Sequence, residues 1–239
     1  MKRQLLFAWY QTPRGELLRQ VEAEFIRRSI MVGCKQCVLQ IGGLGWENEF
    51  IDCSLYENFM ILDAHNLGWA DAVKIQAKSC NLPLQSESVD LILLPHLLEF
   101  DPYRFQTMRE IERVLKPEGH LIIINFSPWS FWVRYQYLKK KKWADSWHGH
   151  FISKQRVLDW LKLLNFETRS AASFSIEHSP SDHHGHFKAG YFSFFTAAYA
   201  IRAIKRRYTL IPLAPATVKR PRLAVLNSLE SSQRLSKDD

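Results

Sequence analysis

A chain of 239 residues that is 46% hydrophobic and 23% charged is large and apolar enough for one domain with a sizeable core. These proportions exclude a disordered or low-complexity protein, and no apolar run approaches the roughly 18 residues needed to cross a bilayer. The net charge of +8 is local: residues 183–229 carry eight Lys and Arg and no Asp or Glu, which equals the whole excess and marks where an anionic partner would be sought.

The basic start is followed by an apolar run that stops at Tyr10 without a small-residue cleavage site, so a cytoplasmic protein without a signal peptide is expected. Thr12-Pro13 reads as an N-cap with proline at the first helical position. Leu17, Leu18, Val21, Phe25 and Ile26 then recur at helical spacing and predict a helix to about Ile30. Cys34 and Cys37 form a lone C-x-x-C with no second pair for a zinc site, and Cys53 and Cys80 stand singly. With four cysteines in a chain this long, reduced thiols are expected, not a disulfide scaffold or a metal centre.

Val38 to Trp46 is an apolar run that feeds three glycines, as in a buried strand (about 37–41) ending in a turn that something approaches closely. Residues 46–58 are polar and suggest one short helix. Phe59-Met60-Ile61-Leu62, ending at Asp63, and a short segment at Ala72–Gln76 read as strands. Val89 to Leu94 is dense enough for a strand covered on both faces. Asp101-Pro102 repeats the cap-plus-proline start, with Phe105, Met108, Ile111, Val114 and Leu115 as the apolar face. Lys116-Pro117-Glu118-Gly119 stops that helix before a strand over His120–Phe126. Ser153 caps a further helix ending at Asn165, and strands are predicted over Phe166–Phe174 and Thr196–Ile204. Strands alternating with helices argue for a mostly parallel sheet covered on both sides. The domain is expected over residues 1–212, with its core at 36–126, and a basic, poorly ordered tail at 213–239.

Leu82-Pro83-Leu84, Val89-Asp90 with its apolar run, His96-Leu97-Leu98-Glu99, and Arg109-Glu110-Ile111-Glu112-Arg113-Val114-Leu115-Lys116-Pro117-Glu118-Gly119 occur in one order behind the glycine strand. Over residues 38–126 this resembles the class I S-adenosylmethionine-dependent methyltransferases, in the subgroup typified by the quinone-ring methylases. The Trp9…Thr12-Pro13…Gly15 opening and the Leu163–Glu167 block resemble the bacterial YafS-type proteins within it. The resemblance implies a seven-stranded Rossmann-like α/β fold, S-adenosyl-L-methionine as cofactor, and methyl transfer to an acceptor that no spacing identifies.

By that resemblance the cofactor site comprises Gln40, Gly42, Gly43, Gly45, Asp63, Asn81, Leu82 and His96, with no metal. Gly42 matches the first glycine of the cofactor loop. Leu44 stands where the second is usual, and its side chain would obstruct close approach; Gln40 replaces the usual acid. Asp63 ends the second strand, where the family places a ribose-binding carboxylate; a plain surface carboxylate is the other reading. Lys78 or Ser79 stands at the adenine-facing acid, and Asn81 and Leu82 meet the adenine by backbone and packing. His96 is either the catalytic base or a pocket-lining residue. Arg109, Glu110 and Arg113 are expected to be structural.

Residues 127–152 hold Trp129, Phe131, Trp132, Tyr135 and Tyr137 among Arg134 and Lys139–Lys142. They read as an acceptor-side lid for a flat, lipid-like or anionic substrate, or as an amphipathic segment packing its aromatics inward. His178, His183, His184 and His186 cluster in a loop without zinc-site spacing. Two functions follow. One is a monomeric or weakly dimeric methyltransferase acting on a small-molecule or lipid-like acceptor. The other is a methyltransferase-fold protein that no longer catalyses and binds RNA or another polyanion through its basic C-terminal region.

Overall fold

The computed structural model describes residues 4–30, 36–52, 56, 58–65, 68, 71–130, 150–175 and 196–207. The expectations for the remainder of the 127–152 lid, for His178, His183, His184 and His186, and for the 213–239 tail lie outside the described residues.

The chain opens with α1 (Gln4–Tyr10), which the sequence reading missed. In α2 (Pro13–Ser29), Thr12 is the N-cap, its hydroxyl accepting from Gly15 N–H. Strands β1 (Cys37–Ile41), β2 (Asn58–Leu62) and β3 (Val73–Ile75) follow, with a 3₁₀ turn at Glu47–Glu49 after β1. Next come β4 (Val89–Pro95), α3 (Arg104–Val114), β5 (Leu115–Phe126), α4 (Lys154–Leu163), β6 (Phe166–Ser175) and β7 (Thr196–Lys205). Most predicted elements stand within a residue or two of their expected bounds, and two differ. Helix α3 starts at Arg104 because the Asp101 carboxylate accepts from Tyr103 N–H and fixes a turn first. Strand β5 runs back through the predicted stop to Leu115, with a register irregularity against β4.

The described strands form one seven-stranded sheet in the order β3-β2-β1-β4-β5-β7-β6. Pairing is parallel from β3 to β5, and β7 runs antiparallel to both β5 and β6. This is the Rossmann-like class I methyltransferase architecture, with helices on both faces.

The sheet is apolar on both sides. Val38 of β1 and Ile122, Ile124 and Phe126 of β5 pack toward α1 and α2. Leu39, Ile41, Leu121 and Ile123 pack toward α3 and α4. Phe105, expected in the buried stripe of α3, is instead 57% exposed and lies against the Trp160 ring of α4, with centroids 4.7 Å apart. Met108, Ile111 and Val114 carry the burial.

Candidate active site

Connections from β1 run outward through β2 to β3, and those from β4 run the other way, so the order reverses between β1 and β4. A crevice at the carboxyl ends of the strands is built into this topology and is where α/β sheets bind ligands. A cavity of about 530 Å³ lies there, within the range of small-molecule sites. Ile41 and Gly42 of the β1 end and Leu62 and Asp63 of the β2 end line it, as do Ala77 and Ser79. From beyond β4 come Leu97, Glu99, Phe100, Asp101 and Pro102, and His150 completes the wall.

The glycine turn is held by carboxylates. Gly42 and Gly45 have φ of 92° and 90°, a region that side chains rarely enter, and a Cβ at Gly45 would stand 3.1 Å from the Phe7 ring. Gly42 N–H donates to Leu62 O at 2.7 Å, tying the turn to β2. Gly43 N–H donates to Asp63 Oδ2 at 3.2 Å and His65 N–H to Asp63 Oδ1 at 2.7 Å, so both Asp63 oxygens are oriented by backbone at the cavity wall. The fully buried Glu47 accepts from Leu44 N–H (2.5 Å) and from Gly45 N–H (3.0 Å). Gln40 Nε2 donates to Glu47 Oε1 at 2.8 Å and to Gly42 O at 2.9 Å.

An acid does stand near position 40: Glu47, joined to the turn through Gln40, but it is fully buried and absent from the cavity wall, so it shapes the turn and does not take the place of a ligand-facing acid. Gln40 is itself fully buried and absent from the cavity wall, so its place is behind the loop. Leu44 corrects the expectation of an obstructing side chain. It is 2% exposed and turned into the core beside Leu6, Trp9, Tyr10 and Trp46. Its backbone follows the turn while its side chain leaves the site.

His96 ends β4 in a left-handed conformation, φ 47°, its N–H donating to Ile124 O. Its ring is fully buried and stands 4.1 Å from the Phe126 ring centroid. Nε2 lies 3.0 Å from Glu22 Oε1 of α2, and Nδ1 lies 3.5 Å from Glu99 Oε2. Tyr10 O–H donates to the other Glu22 oxygen at 2.7 Å, and Glu99 Oε1 accepts from Phe126 N–H. Burial alone would push the imidazole down, but the charge and hydrogen bond of Glu22, with Glu99 beside it, raise its pKa to about 9. A buried imidazolium between two carboxylates has no proton vacancy at neutral pH. The structure therefore does not support His96 as the base, and it is not among the residues lining the cavity.

Leu82 is buried under α3, its N–H donating to Glu110 Oε2 and its carbonyl accepting from Arg113. Arg113 also donates to Leu84 O and Ser86 Oγ, and its hydrogen bonds hold the Glu110 carboxyl below the usual carboxylate range. This gives the Arg-Glu-x-x-Arg block its structural use: it fastens the Leu-Pro loop. Asn81 is exposed, and its N–H donates to Lys78 O. Of the expected site residues, the fold joins Gln40, Gly42, Gly43, Gly45 and Asp63 into one hydrogen-bonded unit. Asn81, Leu82 and His96 stand apart from it.

Residues 39–123 match the methyltransferase domain family. The chain is 32% identical over 179 residues to the uncharacterized protein YafS of Escherichia coli, covering 74% of this chain and 69% of that one. This chain is a member of the methyltransferase-domain family. It is also 33% identical over 97 residues to the uncharacterized protein MJ1123 of Methanocaldococcus jannaschii, a match that spans 47% of that protein. Among solved structures it resembles a SAM-dependent methyltransferase from Archaeoglobus fulgidus (TM-score 0.62, 18% identity, 83% of this chain and 99% of that one). A second, from Thermotoga maritima, aligns with a TM-score of 0.60 at 22% identity over 83% of this chain and 93% of that one. These likenesses bear on the fold.

S-adenosyl-L-methionine is the cofactor of this methyltransferase family, and the residues present fit it. Gly42 leaves the end of β1 without a side chain at the cavity wall. Asp63 offers a carboxylate suited to a vicinal diol, and Ile41, Leu62, Ala77 and Leu97 supply apolar surface for a heterocycle. Sequence reasoning missed Glu22, Glu47 and the role of Glu99. Glu22 sits four residues from Leu18 and from Ile26 on the buried stripe of α2, and a charge on such a stripe is a legible signal.

Proposed function

We propose that this protein transfers the methyl group of S-adenosyl-L-methionine to a small or lipid-like acceptor, as a monomeric or weakly dimeric cytoplasmic enzyme whose catalytic unit is residues 1–212. The reading is supported most by the cavity at the sheet's switch point, bounded by Gly42 and Asp63. When bound, the donor supplies an electrophilic methyl carbon on a sulfonium. The protein's part is placement and exclusion of water. Asp63, oriented by two backbone amides, fixes one end of the donor, and Glu47 with Gln40 keeps the glycine turn in shape before anything binds. His96 stays charged and ties α2 to the end of β4, which keeps that wall in register.

Of the four described Lys and Arg of the basic region, three give the polyanion reading no support, and the fourth, Arg202, is half-buried. Lys205 donates to the carbonyls of Glu112 and Leu115, Arg206 pairs with Glu167 and Glu118, and Arg207 pairs with Glu87. Those charges are answered within the fold.

Calorimetry with the donor tests the reading. We expect saturable one-site binding that Asp63→Ala weakens by roughly tenfold or more. The absence of binding at about 1 mM donor overturns it. Labelled-methyl transfer into fractionated small-molecule and lipid extracts then identifies the acceptor.

A further inference from the structure

At the end of the sheet away from the cavity, three basic side chains from the adjacent strands β5, β7 and β6 meet on one face. Arg202 of β7 pairs with Ile122 of β5, so it lies on the side that packs toward α1 and α2. His120 precedes Ile122 by two residues and shares that side, diagonal to Arg202. On the other flank of β7 the ladder slips between Thr168 and Ser170, so Arg169 and Ser170 stand where one residue would oppose Arg202. Bulges of this kind re-aim side chains. His120 lies six residues before the carboxyl end of β5, about 20 Å from it.

Arg202 differs from the other cations of this edge. Arg206 bonds both nearby carboxylates, Glu167 and Glu118, and Arg169 lies 3.4 Å from Glu167. Arg202 makes no hydrogen bond or ion pair with any described residue. It is half-buried: its Nε is closed from solvent, whereas its Nη groups remain open and are what a ligand would meet. The His120 ring has no partner either. Burial, with the charges of Arg202 and Arg169, holds its imidazole below the usual range against the pull of Glu118. Arg169 and Ser170 are exposed beside them. Three arginines thus share two carboxylates, and a half-buried cation without a counter-ion is costly until an anion reaches it.

We propose that Arg202, Arg169 and His120, with the Ser170 hydroxyl, form a binding site for a phosphoryl group, separate from the cavity. Two guanidinium forks, one hydroxyl and one ring N–H offer more donors than a carboxylate can accept, and a tetrahedral dianion uses them better. The ligand is free phosphate or a small phosphate monoester, whose organic part projects into solvent from the open side. The site stands apart from the donor reading, and either can hold without the other.

The test titrates the full chain with inorganic phosphate, glycerol 3-phosphate and acetate near neutral pH, with ionic strength held constant by chloride. The Arg202 Nε–H resonance, sheltered from solvent, reports occupancy by NMR. Phosphate and its ester shift it saturably with Kd on the order of 1 mM, and acetate binds roughly tenfold more weakly. Equal affinity for phosphate and ester identifies free phosphate as the ligand; a preference of about tenfold for the ester identifies the monoester. By calorimetry, Arg202→Met, which keeps the aliphatic stem, weakens phosphate by roughly tenfold and Arg169→Gln by about threefold. Arg156→Gln, at an exposed arginine of α4, changes it less than about twofold. The absence of a saturable shift by about 20 mM phosphate overturns the proposal. So does acetate binding as tightly as phosphate, or Arg202→Met binding phosphate as the wild type does. If Arg202→Met does not fold, Arg169→Gln decides alone, and unchanged phosphate affinity there overturns the proposal.

Discussion

Replacing His96 with Asn tests whether the buried imidazolium holds α2 to the end of β4. Asn tolerates the left-handed backbone at this position (φ 47°), so the substitution removes the cation with little added strain. The native imidazole has a pKa of about 9 against roughly 6.5 in an unfolded chain. A folded-state pKa raised above the unfolded value gives stability that is complete below about pH 6.5 and is lost as pH climbs through about 9. The gap converts to about 3 kcal/mol. At pH 6 the variant also leaves Glu22 and Glu99 without their shared cation, so its cost there is about 3–5 kcal/mol, roughly a 10 °C fall in Tm for a domain of this size. By pH 10 the wild type has lost most of the advantage, and the difference between the proteins shrinks by about 3 kcal/mol. Urea denaturation of both at pH 6, 7.5, 9 and 10 measures it. The subtraction removes the Lys, Tyr and Cys titrations that the two share. Parallel stability curves across pH 6–10 would refute the assignment of His96 as a buried cation.

Three further outcomes are expected. Leu44→Gly, which would relieve any obstruction of the site, instead costs about 3–5 kcal/mol by urea denaturation and leaves donor affinity no better, because Leu44 is packed in the core. Glu47→Ala strands the Leu44 and Gly45 amides and removes one of the two Gln40 Nε2 hydrogen bonds; it lowers stability by roughly 3 kcal/mol and donor affinity by about tenfold, with Glu47→Gln restoring part of both, as calorimetry will report. Arg113→Ala frees the carbonyls of Leu82 and Leu84, costing about 2 kcal/mol and speeding limited proteolysis between residues 82 and 88.

What the sequence made legible follows from what local patterns encode. Buried strands announce themselves by unbroken apolar runs, so β1 could be placed to the residue and β4 nearly so. Caps announce helix starts, as Thr12 and Ser153 did. Asp101 was expected to cap α3 and does not: the N-cap is Tyr103, without a side-chain bond, and the Asp101 carboxylate closes a turn before the helix begins. Where a side chain points within a turn is set by neighbours far along the chain. Leu44 leaves the site because α1 offers it a core, and α1 has too short a pattern to be read. The site's charges were the least legible part. Gln40 gave no hint of its structural use because the carboxylate it bonds, Glu47, lies seven residues on, in a 3₁₀ turn without periodicity. His96 read as an available base because its partner, Glu22, is 74 residues away.

Strand β7 sits between β5 and β6, and it is the last described strand in the chain. During synthesis, β6 therefore emerges with no neighbour to pair with, and one side of β5 waits about 70 residues for its partner. A nascent chain stopped before Thr196 holds the glycine turn, Asp63 and the first five strands, yet one edge of β5 is unpaired and β6 lacks its described partner. The final residue of β7, Lys205, reaches the carbonyls of Glu112 and Leu115 at the end of α3, so the inserted strand is latched there. The order of synthesis thus leaves completion of the described sheet to β7, and partly made chains are the form most exposed to aggregation.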